Sequence, residues 1–411
     1  MTPEAPRRLL EGVSSRPPRS DDPKIDGLSP WLVLEPENEA ALSRALELCH
    51  RESLAVVPVG SGTRLSLGNR PSHLDAFLST RALDGVVDHI PSDLTVTVRA
   101  GTRVGTLQEE LFELGQFLPV DPPLPDRATV GGVFALAEPG FRRRPGGRPR
   151  DLLLGFEGVL ADGTVVKSGG RVVKNVAGYE LSKLFTGSAG TLVVMTRAHL
   201  RLRALPEEVV TVSARFRRAG DARSAWHELN RSHSLPEAAA LLNPASSRAS
   251  SLADWSLVLR FEGLSEEVSA SVEAAVERLR GAARISSRVW DWIRDFPLGA
   301  TGSHVLVLRG QVAPALTFEL AEEWRDGGPL VAHPDSGLVF SRTEEPDGLS
   351  DRQEVARRLG ANVVLEQAPP GLKEDMDVFG EPPKAFAIMR RLKQELDPRG
   401  ILSPGRFVGR L

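Results

Sequence analysis

Residues 56–63 read Val-Val-Pro-Val-Gly-Ser-Gly-Thr, an apolar β-branched run that stops abruptly in a loop holding two glycines. Gly60 and Gly62 can take positive φ and leave no side chain between the backbone and a ligand. Successive N–H groups in such a loop can converge on an anion, and Ser61 and Thr63 add hydroxyl donors. An ordinary glycine turn after a strand would be written the same way, because short glycine patterns are weak evidence. The pattern is not a dinucleotide fingerprint of the helix-opening kind. Leu65 stands where a third glycine would be, and Leu67-Gly68-Asn69-Arg70-Pro71 cannot open a helix. A phosphate here would meet loop amides rather than a helix N-terminus.

The 411 residues exceed what one core normally serves, and imply roughly two to three domains. Charged residues make up 26% and hydrophobic ones 41%, which fits a globular chain. With 51 basic against 54 acidic residues, nothing in the charge balance points to nucleic acid. Cys49 is the only cysteine, which excludes an internal disulfide and a thiolate-held zinc or iron–sulfur cluster. It falls in a helical pattern and reads as a small core hydrophobe. Residues 1–24 are rich in Pro, Arg and Ser and contain no signal-peptide core, so a flexible N-terminus and a cytoplasmic location are expected. No stretch reaches the roughly 18 apolar residues of a membrane span.

Apolar spacing predicts a short strand over 31–34, a helix with Ala40, Leu42, Leu46 and Cys49 on one face, and a strand over 55–59. Strands are expected over 74–79, 85–90 and 95–99, then a helix marked by Leu107, Leu111 and Leu114 and ended by Gly115. Thr129-Val130-Gly131-Gly132 is a second tight glycine turn, and 133–137 can enter a helix. A basic loop follows, with Arg142, Arg143, Arg144, Arg148 and Arg150. It reads as solvated surface or as a contact for an anionic substrate or acidic partner. Residues 152–168 form a hairpin around Asp162-Gly163. A third glycine turn, Gly187-Ser188-Ala189-Gly190-Thr191, leads into a strand over 192–196. One extended ligand touching several loops would explain three such turns together. After Pro206 the pattern becomes α+β without glycine turns, with strands expected over 209–216, 255–261, 304–309, 331–333 and 362–365 and a helix over 265–280. A last helix, over 383–396, carries Phe386, Met389, Leu392 and Leu396 and ends at Asp397-Pro398-Arg399-Gly400.

This order of motifs resembles the FAD-binding domain of the vanillyl-alcohol oxidase (PCMH) type, and is most similar to the smaller flavin-binding subunit of bacterial glycolate oxidase. The resemblance is carried by 58–63, 129–132, Arg150-Asp151 with Gly155, the run Lys174-Asn175-Val176-Ala177-Gly178-Tyr179-Glu180-Leu181, 187–191 and the tail 396–406. It implies an α+β chain with a two-subdomain FAD-binding domain over 27–205, a ferredoxin-like α+β substrate or cap domain over 206–380, and a tail over 381–411 that returns to the FAD domain. It also implies that Val59, Gly60, Ser61, Gly62 and Thr63 hold the FAD pyrophosphate, with Pro58 also in the cofactor site. Thr129, Gly131 and Gly132 would line the ribityl chain and flavin ring, Asp151 would sit near the flavin, Gly190, Thr191 and Leu192 near the adenosine half, and Pro122 would also bind the cofactor. Many relatives attach a loop histidine to the flavin; Ser61, Gly62 and Arg64 occupy that region here, so non-covalent FAD is expected. The family's large subunits carry a histidine-rich stretch late in the substrate domain, whereas 331–337 holds only His333, too little for a metal site.

A 2-hydroxy acid, the substrate class the resemblance implies, needs a cation for its carboxylate and a base for its hydroxyl or α-proton. Arg309, together with the 142–150 arginines, is the candidate cation, and His333 is the candidate base. Each also has a plain structural reading, as an ion-pair partner or a packed histidine. The partners implied are a larger FAD-binding subunit and an iron–sulfur subunit. A non-catalytic flavin subunit and a stand-alone flavin alcohol oxidase remain the alternatives.

Overall fold

The computed structural model describes residues 13–138, 140–142, 148–170, 180–231, 235–298, 305–344 and 348–411. The run 174–179, Arg143, Arg144 and His304 lie outside the described residues. The chain divides into two units: Met1–Pro139 with Arg148–Ala204 and Pro370–Leu411, and Gly140–Gly147 with Leu205–Pro369.

The first unit begins with strands β1 (Ser15–Arg16) and β2 (Leu32–Leu34). Asn38 then accepts from Ala41 N at 2.9 Å and caps the helix Glu39–Glu52, which buries Leu42, Ala45, Leu46 and Cys49. Strands β3 (Val56–Val59) and β4 (Ala76–Ser79) complete a sheet of order β1-β2-β4-β3, in which β2 and β3 both run parallel to β4. The tail extends this sheet beside β3: Val56 N donates to Ile401 O, and Ser403 N to Val56 O, each at 2.8 Å.

A second, antiparallel sheet has the order β5-β6-β10-β8-β9, from β5 (Val86–Ile90), β6 (Thr95–Arg99), β8 (Leu153–Val159), β9 (Val165–Gly169) and β10 (Val194–Arg201). The expected hairpin is β8–β9, with Gly163 at φ +88° in its turn. Strand β10 starts two residues later than its apolar run, because Thr191 to Val193 finish the glycine turn. A small pair, β7 (Gln116–Phe117) with β11 (Arg203–Ala204), closes this region. The helix Val104–Phe112 buries Leu107 and Leu111, but Leu114, past its end, is 54% exposed.

The second unit is built on an eight-stranded antiparallel sheet, β15-β12-β14-β13-β17-β18-β16-β19. Its longest pairing joins β12 (Glu208–Phe216) to β14 (Trp255–Gly263). The others are β13 (Ala238–Leu242), β15 (Ala283–Ile285), β16 (Leu306–Gln311), β17 (Leu330–His333), β18 (Leu338–Thr343) and β19 (Asn362–Gln367). Helices Ala219–Asn230 and Ser265–Arg278 pack on β12 and β14. In the second helix the buried face is Val268, Val272 and Ala275, while Val276 points outward at 39% exposed. Phe141, Trp290, Ile293, Phe296 and Phe340 form a core with Ala240, Leu242 and Val258.

Candidate FAD-binding site

In the first unit the three glycine turns come together. A Cβ on Gly60 would overlap Thr129 Oγ1, so the first turn lies directly on the second. A Cβ on Gly190 would stand 3.5 Å from Pro58 Cγ, so the third turn abuts the strand that feeds the first. Arg64, just past the first turn, forms a buried ion pair with Glu138, just past the helix Val130–Leu136, at 3.0 Å. That helix is capped by Thr129, whose Oγ1 accepts from Gly132 N at 3.4 Å. Gly131 N donates to Ala100 O at 2.7 Å, and a Cβ there would meet Ala100 at 3.0 Å. Ala189 N donates to Ala135 O at 2.8 Å and binds the third turn to the same helix.

The two glycines of the first turn serve different ends. Gly62 sits at φ +74°, where an L side chain is strained. Gly60 does not adopt positive φ; its missing side chain makes room for Thr129. Among the described residues the backbone N–H groups of Ser61, Gly62 and Thr63 find no acceptor, and all three residues are only partly covered. Gly190 is buried, and its N–H likewise has no acceptor among the described residues. Open donors around a positive-φ glycine fit a multiply charged anion such as a pyrophosphate. Pro122 is buried and Leu192 packs against the core of this unit. Asp151 lies apart in bonding terms: its exposed carboxylate accepts Arg148 N at 3.2 Å and joins no glycine turn.

The tail, which in the structure joins the first unit from Pro370 onward, supplies residues that the sequence pattern does not single out. Lys373, fully buried, donates to Asp26 Oδ1 at 2.8 Å, Ser66 O at 2.6 Å and Gly68 O at 3.3 Å. Arg406 donates to Leu65 O at 3.0 Å, Leu67 O at 2.5 Å and Asn69 O at 3.0 Å. Burial pulls the Arg406 guanidinium down to about 10 and lowers the Lys373 ammonium, while Asp26 opposes both effects. Lys393 donates to Thr191 O at 2.8 Å, Leu402 O at 2.8 Å and Asp397 Oδ2 at 2.6 Å, and Ser403 Oγ donates to Gly190 O at 3.2 Å. A lysine on an amphipathic helix reads as solvated, so only the fold reveals these roles.

The two candidate catalytic residues lie in the second unit. Arg309 on β16 pairs with the buried carboxylate of Glu366 on β19. His333 ends β17, is 4% exposed, has Nδ1 3.2 Å from Ala239 O and meets the Phe340 ring edge-on. Of the basic loop, Arg142 pairs with Glu262 at 3.2 Å. Among the described residues no cluster of His, Cys, Asp and Glu could hold a metal, and no helix is long and apolar enough to cross a membrane.

Residues 30–169 match the FAD binding domain family, and 380–407 match the C-terminal domain of FAD linked oxidases. Apart from 140–147, both segments fall within the first unit, where the glycine turns and the tail meet. The chain carries an FAD binding domain and an FAD-linked-oxidase C-terminal domain. Among curated relatives, the chain is 29% identical over 387 residues to the glycolate oxidase subunit GlcE of Escherichia coli, covering 92% of the chain and 100% of that protein. It is 27% identical to a D-lactate dehydrogenase of Archaeoglobus fulgidus, covering 93% of the chain and 92% of that protein. It is 34% identical over 187 residues to the glycolate oxidase subunit GlcD of Bacillus subtilis, a match spanning only 46% of the chain and 40% of that protein. The solved structure of p-cresol methylhydroxylase with substrate bound superposes with a TM-score of 0.69 at 14% identity, over 92% of this chain and 88% of that one, a likeness of fold. The chain is thus an FAD-binding oxidoreductase of mixed α+β architecture, related to glycolate oxidase subunits and D-lactate dehydrogenases.

Proposed function

We propose that this chain is the FAD-carrying subunit of a 2-hydroxy-acid dehydrogenase assembly of the glycolate oxidase kind. The observation that carries the proposal is the match to GlcE across that protein's whole length. The backbone amides of Ser61, Gly62 and Thr63 hold the pyrophosphate, Gly190, Thr191 and Leu192 lie near the adenosine half, and Pro58, Val59, Gly60, Pro122, Thr129, Gly131 and Gly132 shape the rest of the FAD cradle. Asp151 stands at the flavin end. No histidine occupies the first turn, so the cofactor is held without a covalent bond. Bound flavin supplies a two-electron acceptor for oxidation of an alcohol carbon. Arg309 receives the substrate carboxylate and His333 the hydroxyl proton. Electrons then pass to a partner, because a chain with Cys49 alone cannot hold an iron–sulfur cluster of its own. The partners are a larger flavin subunit and a cysteine-rich subunit, met in the cytoplasm.

A second reading, in which this subunit's flavin only relays electrons, is supported by the ties of the two catalytic candidates. Arg309 is engaged by Glu366 and His333 is enclosed. A dye-coupled assay with glycolate and D-lactate separates the possibilities. Negligible turnover by the FAD-loaded chain alone, restored by co-expressed partner chains, is expected. Turnover on the order of 1–1,000 per second without partners would instead make this a stand-alone oxidase. With the assembly restored, loss of activity in Arg309→Met and His333→Gln favours the catalytic reading, and retention favours the relay.

A further inference from the structure

We infer that the C-terminal tail sets the affinity for the FAD pyrophosphate, with Arg406 and Lys373 as positioning residues. The inference rests on the assignment of the first glycine turn to the cofactor.

The segment after that turn, from Leu65 to Asn69, has five consecutive backbone carbonyls, and all five accept from two buried tail cations. Arg406 takes Leu65, Leu67 and Asn69; Lys373 takes Ser66 and Gly68. Alternate carbonyls therefore go to alternate cations, which fixes the path of an irregular segment that has no sheet or helix to hold it. Asn69 completes the lock. Its side chain donates to Asp377 Oδ1 at 3.0 Å and Phe407 O at 2.9 Å and accepts Val378 N at 2.8 Å. A carbonyl bound to the tail cannot turn toward a phosphate and repel it. The free N–H groups of Ser61, Gly62 and Thr63 are thereby presented without competing oxygens from the following residues. Arg406 is suited to this because one planar guanidinium reaches three carbonyls at once. Asp26 lies 2.8 Å from Lys373 and 3.9 Å from Arg406, and Asp377 accepts from Asn69, so two carboxylates accompany the two cations. What the tail supplies is loop geometry.

The test titrates apo-protein with FAD, with ADP and with riboflavin, which lacks phosphate. Arg406→Gln is expected to weaken FAD and ADP tenfold or more while riboflavin changes less than twofold. Lys373→Met should do the same to a smaller degree. FAD affinity within twofold of the parent protein, or equal weakening of all three ligands, overturns the inference. Should Arg406→Gln lose its circular-dichroism signature, Arg406→Lys is read on the same criteria, since it keeps the charge but reaches fewer carbonyls. Gly60→Val serves as the control for the underlying assignment. If it leaves FAD binding intact, the first turn is not the cofactor site at all. If it abolishes binding while the tail variants do not, only the role of the tail fails.

Discussion

Gly60 and Gly62 stand two residues apart and exclude side chains for unrelated reasons. At Gly62 the constraint is conformational: φ is +74°, and a Cβ would also press on Leu65 and Pro23 at 3.3 Å. Gly62→Val is expected to lose FAD while the chain keeps its fold, because the strain of about 1–2 kcal/mol falls on a surface turn and not on a core. Equilibrium titration with FAD reads this directly; full occupancy in the mutant would remove the turn from the site. Cys49 makes a different residue-scale prediction. It is fully buried in the helix Glu39–Glu52, and burial pushes its thiol from 9.0 up to about 12. The folded state keeps the proton longer than the unfolded state does. The thiol's contribution to stability is therefore complete below pH 9 and declines as pH rises toward 12, by at most about 1.4 kcal/mol per pH unit. Cys49→Ala should flatten that part of the stability profile, and native protein at pH 8 should resist a thiol reagent until it unfolds.

At the scale of elements, the C-terminal helix Phe386–Leu396 departs most from its pattern. Phe386, Met389, Leu392 and Leu396 share one face, yet all are only partly buried, and the residue this helix buries is Lys393. Asp397 neutralises it and also accepts Ile401 N at 3.0 Å and Leu402 N at 2.8 Å, turning the chain toward β3. Asp397→Asn leaves a buried ammonium without its counter-ion, and a loss of about 3–5 kcal/mol in unfolding free energy is expected. Denaturant unfolding showing under 1 kcal/mol would mean that Lys393 escapes to water. The glycine turns were legible beforehand because glycine's constraint is local and written in the residue itself. Lys373, Lys393 and Arg406 were not, because a buried cation shows only once distant carbonyls have been brought to it. Strand β13, Ala238–Leu242, was silent for a related reason: all five residues are buried, so no alternation marks it, and alanine favours helix.

At the scale of the whole molecule, the FAD-binding unit is assembled from pieces far apart in sequence. The N-terminal glycine turns supply the open amides, and the tail some 330 residues later fixes the segment beside them. The two matched family segments, 30–169 and 380–407, likewise lie far apart in sequence. One FAD per chain, held by backbone amides and by no covalent bond, is the expectation on which the proposed function stands. The direct measurement is acid precipitation of the purified protein, with the flavin identified and counted in both fractions. One FAD per chain, recovered entirely in the supernatant, is predicted. Flavin that stays with the washed pellet, or a released flavin lacking the adenosine half, would contradict it.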